Sequence, residues 1–211
     1  VSNIVHLLHK DLLLMKRYIG VLAVYAIVFS GFVQTNNSFL YGMLPGMVLI
    51  LTLSADMQLP VQQFLVNLPV RRSLLVLSKY ASAFFFMLAA FLLCLLLDGG
   101  AAALQGVPVN WEPAYLLGVF SVQILVMSVY IPLYFWLGPK GAQFLNIAMM
   151  IFFFGGSFAV YNILGSERAM ALIARFGEHP YASVLMGVCA AALAVFVSFK
   201  ISCLIFAKRD L

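Results

Sequence analysis

Long apolar runs separated by short polar stretches set the pattern of this chain. The runs fall at residues 18–33, 39–55, 77–97, 114–137, 143–164 and 181–207. They are continuous rather than alternating, which predicts helices and not strands. About 20 apolar residues in a helix cross a hydrocarbon core of about 30 Å. In lipid the backbone must satisfy itself, and a helix does so within one segment. The pattern therefore predicts an all-α integral membrane fold, one domain over residues 1–211, with six transmembrane helices. The last run is long enough to tilt or to emerge as a helical tail. Polar stretches at residues 34–37, 56–72, 98–112, 138–141 and 165–180 punctuate the runs. Pro45-Gly46, Pro132 and Gly155-Gly156 interrupt them, as kinks or close helix contacts do.

Two segments outside the runs have a pattern of their own. Within residues 1–17, Ile4, Val5, Leu8, Leu12 and Met15 share one helical face, while Asn3, His6, Lys10, Lys16 and Arg17 lie largely elsewhere. That predicts an amino-terminal helix lying in the membrane interface. Its polar, amphipathic character also predicts that the first run stays in place as an uncleaved anchor. Ser166 is a candidate N-cap for a second short helix that Gly177 stops.

Composition agrees with the pattern and charge adds direction. Hydrophobic residues make up 64% and charged residues 9% of the 211, with mean hydropathy +1.07; a soluble domain needs a more charged exterior. Ten of the twelve basic residues fall on alternate connections: Lys10, Lys16 and Arg17; Arg71, Arg72 and Lys79; Lys140; and Lys200, Lys208 and Arg209. The opposite set holds Arg168 and Arg175 beside Asp98, Glu112, Glu167 and Glu178. The positive-inside rule makes the first set cytoplasmic, with both termini on that side. Trp111, Tyr115, Tyr134, Trp136 and Tyr181 fall near run ends, where interfacial aromatics belong.

Candidate reactive chemistry is sparse. Cys94, Cys189 and Cys203 sit in apolar runs, without metal-ligand or disulfide spacing, and read as small apolar fillers. His6, His9 and His179 form no ligand pattern. The runs hold almost no acidic residues, which argues against a proton- or ion-coupled transporter. Gly155-Gly156-Ser157 with His179 is a poor serine-protease arrangement, since His179 falls in an external loop. Gly138-Pro139-Lys140-Gly141 lacks the spacing and hydroxyl of a phosphate loop, so any ATP is bound by another chain. No cofactor is expected on this chain.

The stretch from Asp56 to Tyr80 is too long for a tight turn. Pro60 can open a short cytoplasmic helix through Asn67, and Pro69 forces a change of direction and starts the next helix. Arg71 and Arg72 then lie near lipid headgroups. Leu68-Pro69-Val70-Arg71-Arg72, followed by Val76-Leu77-Ser78-Lys79-Tyr80, resembles a signature of small type-2 ABC exporter permeases. These include the membrane subunits of the phenol-soluble modulin (antimicrobial peptide) exporter. Lys10-Asp11-Leu12 through Lys16-Arg17-Tyr18, and Phe206-Ala207-Lys208-Arg209-Asp210-Leu211, also match. The resemblance implies a dimer, or a pair of related permeases, bound to two cytoplasmic ATPase subunits that hold ATP and Mg. It implies that the short helix at residues 60–67 is the coupling helix. Gln62, Gln63, Phe64 and Asn67 would be its contacts, and Leu68, Pro69, Arg71 and Arg72 would position it. Met57 to Asn67 is uncharged here, a departure from the family's more charged approach to its Leu-Pro.

Two functions follow as expectations. The first is a permease in a bacterial plasma membrane, moving amphipathic peptides or hydrophobic compounds outward. Its Phe- and Met-rich runs suit an apolar cargo. The second is a non-transporting membrane sensor, immunity or assembly subunit, which leaves the long cytoplasmic connection unexplained. Loss of ATPase capture after changes at residues 62–72 discriminates between them.

Overall fold

The structure, a computed structural model, describes Asp11, Leu13, Lys16, Gly20, residues 22–24, and residues 38–55, 72–105, 113–164 and 180–208. Apart from a break at Gly138, every described residue is helical. Four long helices follow the first helical positions: α1 (Ser38–Ala55), α2 (Arg72–Gln105), α3 (Pro113–Leu164) and α4 (Pro180–Lys208). Most of the first predicted span, nearly all of the amino-terminal interfacial helix, the helix at residues 60–67 and the external helix after Ser166 lie outside the described residues. Both α3 and α4 open on proline, whose missing N–H is no loss in a first helical turn.

Among the described residues, three segments are long and apolar enough to cross a membrane: Ser73–Gly100, Leu116–Gly138 and Val184–Ala207. Leu44–Ser54 and Gly141–Ile151 add shorter apolar helix. The helix α2 exceeds the predicted run at both ends. It continues through Asp98-Gly99-Gly100, a stretch read from the sequence as loop, because Ala101, Ala102 and Ala103 favour helix strongly and Tyr41 holds Asp98 in place.

The 52 residues of α3 would extend about 78 Å if straight, far more than a bilayer. They break at Gly138 (φ 67°, ψ −168°), in a backbone region essentially reserved for glycine. Pro139 also disfavours helical geometry at the residue before it. The break makes a hairpin: Tyr130 Oη donates to Asn146 Oδ1, sixteen residues on, which a straight helix would place about 24 Å away. Gly141 allows the tight return, since a Cβ there would lie 2.6 Å from Leu137 Cβ. The apolar runs at 114–137 and 143–164 lie on the two arms of this hairpin.

The largest helix contact joins α3 to α4; α1 packs on α2 and α3, and α2 on α4. Two apolar clusters result. One gathers Tyr41, Leu44, Val48, Ala90, Phe91 and Cys94. The other gathers Leu49, Leu53, Val76, Tyr80, Met127, Tyr134 and Phe135, with Phe206 against it. Residues 41 and 91–98 thus mark one end of the bundle, and residues 53–54, 76–80, 134–145 and 206 the other. The outer surface is apolar: Phe85, Leu96, Phe144, Leu185, Leu193 and Leu204 are all exposed.

Candidate functional site

The predicted coupling residues Gln62, Gln63, Phe64, Asn67, Leu68, Pro69 and Arg71 lie outside the described residues, and Arg72 opens α2. What the structure describes is the framework from which that segment leaves, at the end of α1, and to which it returns, at the start of α2. A collar of polar ties holds both.

The end of α1 is the first part of the collar. The last carbonyls of a helix have no donor of their own. The carbonyl of Leu53 receives the phenol of Tyr134, from the first arm of α3, at 3.0 Å. The hydroxyl of the next residue, Ser54, receives Asn146 Nδ2, from the second arm, at 2.8 Å. Asn146 in turn accepts from Tyr130. One amide therefore joins α1 to both arms of the hairpin. Tyr134, expected from the sequence as an interfacial aromatic, is instead 7% exposed and points inward.

The start of α2 is the second part. Lys79 lies two turns in, buried, with its ammonium 2.9 Å and 3.1 Å from the carboxylate oxygens of Asp11. A cation at this depth needs such a partner, because an unpaired charge in hydrocarbon is expensive. The sequence reading counted Lys79 among cytoplasmic charges; here it ties the amino-terminal segment to α2. Tyr80 follows and meets Ser198 and Ser202 of α4. Ser198 gives its one proton to the carbonyl of Ser128 on α3. Tyr80 must then donate to Ser198, and Ser202 to Tyr80. The result is a directed relay of hydroxyls from α4 through α2 back to α4 and on to α3, each bond polarising the next.

Aromatic contacts close the ring. Tyr80 stands edge-on to Phe199, Tyr134 to Phe135, and Phe135 to Phe206. One described residue from each patch that carried the resemblance is thus tied to a neighbouring helix: Asp11 to Lys79 of α2, Tyr80 to α4, and Phe206 to α3.

At the opposite end, Tyr41 donates to Asp98 Oδ2 at 3.0 Å, and Gln123 Nε2 donates to the Tyr41 carbonyl at 2.8 Å. Five further hydroxyls among the described residues bond within their own helices. Thr52, Ser78, Ser82, Ser121 and Ser128 each bond a carbonyl three or four residues back, as hydroxyls in lipid do.

The collar's chemistry is mechanical: amides, hydroxyls and one ion pair fasten helices to one another. Among the described residues no three His, Cys, Asp or Glu side chains gather as a metal site. Cys94 is buried as a filler, whereas Cys189 is exposed. Sequence reasoning did not single out Gln123, Asn146, Ser128, Ser198 or Ser202. Their signal was present: each is a polar side chain inside an apolar run, a position that demands a partner.

The family described as ABC-2 family transporter protein matches residues 6–207 of the chain. Neither a curated protein nor a solved structure matches it.

Proposed function

Because the chain belongs to the ABC-2 family transporter proteins, a family of ABC transporter membrane components that work with an ABC ATPase, we propose that it is the permease of an ATP-driven exporter. The carrying observation is the collar: Leu53, Ser54, Lys79 and Tyr80 are all tied to neighbouring helices on either side of residues 56–71. A segment anchored so at both ends passes a push to the whole bundle instead of absorbing it.

In this reading the chain crosses the membrane six times with both ends in the cytoplasm, and it pairs with a second permease copy. Residues 60–67 form the coupling helix. Gln62, Gln63, Phe64 and Asn67 touch one of two ATPase subunits, and Leu68, Pro69, Arg71 and Arg72 set the helix's angle. ATP with Mg, bound on the ATPases, draws the two coupling helices together. That rigid-body movement switches access to a cavity between the permeases. The cargo is an amphipathic peptide or hydrophobic compound, and the membrane is a bacterial plasma membrane. The Phe- and Met-rich character of the apolar runs supports this class of cargo.

The test is co-purification with the partner ATPase and measurement of ATP turnover in the reconstituted complex. Phe64→Asp is expected to abolish capture of the ATPase while the chain stays folded. Unchanged assembly and turnover would remove the coupling role.

A further inference from the structure

A proline inside a helix withholds one hydrogen bond, because its ring has no N–H to give the carbonyl four residues earlier. In α1 that proline is Pro45, and the carbonyl belongs to Tyr41. This carbonyl is the one that Gln123 of α3 reaches, with Nε2 at 2.8 Å. The site is dry: Tyr41 is 2% and Gln123 5% exposed, and Pro45 is buried more deeply still. An amide in the middle of an apolar helix is itself costly unless bonded. The Gln123 amide thus brings a donor to the carbonyl from which the proline ring withholds one.

We propose that Gln123 is the latch of a hinge in α1. It supplies from α3 the bond that Pro45 withholds, and so positions the half of α1, residues 46–55, that leads into the 56–71 segment. The outer half is anchored by Tyr41 on Asp98, and the far end by Tyr134 and Asn146. Between those anchors the hydrogen-bond ladder is weakest at Pro45, where bending concentrates. With Gln123 engaged, α1 is held against α3; with it released, the half that follows Pro45 swings with whatever moves residues 56–71. The consequence for transport rests on the coupling role proposed above, whereas the latch rests on the geometry alone.

Restoring the missing N–H separates the two. In Pro45→Ala the Tyr41 carbonyl regains a donor from its own helix, and Gln123 becomes redundant there. Wild type, Gln123→Leu, Pro45→Ala and the double variant are compared as the full chain in detergent, by thermal unfolding and by hydrogen exchange across residues 38–55. Gln123→Leu is expected to lower the unfolding midpoint by about 2–4 °C and to speed exchange in α1. Beside Pro45→Ala both effects shrink sharply. Equal effects in the two backgrounds overturn the latch. Pro45→Leu supplies the same N–H and serves as the second background if Pro45→Ala does not fold. In the complex with the ATPase, Gln123→Leu is expected to alter ATP turnover only where Pro45 is present. Unaltered turnover beside an intact thermal cycle overturns the latch's part in transport and leaves the hinge standing. A chain that captures no ATPase removes the coupling role without touching the latch.

Discussion

Removing one member of the Asp11–Lys79 pair takes a 2.9 Å ion pair away from a buried charge, while removing both takes the two buried charges away together. Asp11→Asn or Lys79→Met alone is therefore expected to destabilise the chain by about 3–5 kcal/mol, and the Asp11→Leu, Lys79→Met double variant by much less. A double-mutant cycle of unfolding free energies checks this. The uncharged ties are weaker, since hydrogen bonds between membrane helices average about 0.6 kcal/mol. Asn146 joins two such bonds, so Asn146→Leu is expected to lower stability by about 1–2 kcal/mol and Tyr134→Phe by roughly half that, read as shifts in the unfolding midpoint. At this scale the sequence announces need without naming the partner. Gln123, Asn146 and Ser198 are visibly out of place in apolar runs. Yet Ser198 meets Tyr80 across 118 residues of chain, and no spacing rule reaches that far. Lys79 shows the opposite difficulty. It looks like one more headgroup-seeking cation, and only the fold brings Asp11 beside it.

The hairpin in α3 depends on two glycines for different reasons. Gly138 holds a backbone geometry other residues avoid, so Gly138→Ala is expected to cost about 1–3 kcal/mol. Gly141→Ala instead drives a methyl into Leu137 and forces the turn to open. The unfolding midpoint of each variant beside the wild type is the measurement for both. Elements were the most legible level. Apolar runs overlap α1, α4 and both arms of α3, and the polar stretch at 138–141 is where two backbone rules coincide to turn the chain. The carboxyl end of α2 was less legible, since Gly99-Gly100 looks like a turn until Tyr41 is seen holding Asp98.

For the whole molecule, polarity is turned inside out. Serines, tyrosines, Gln123 and the ion pair are buried, while Phe85, Leu96, Phe144 and Leu193 face outward, as lipid requires. Asp11, the end of α1, the start of α2, the turn of α3 and Phe206 share one end of the bundle, and the basic residues that set orientation cluster toward that end in sequence. The proposed coupling role requires residues 56–71 to face the cytoplasm. Site-directed labelling tests it most directly. With Cys94, Cys189 and Cys203 replaced and a single cysteine placed at position 64, a membrane-impermeant maleimide is applied to intact cells and to inverted membrane vesicles. The account predicts labelling in the vesicles and none in intact cells; labelling from outside intact cells would contradict it.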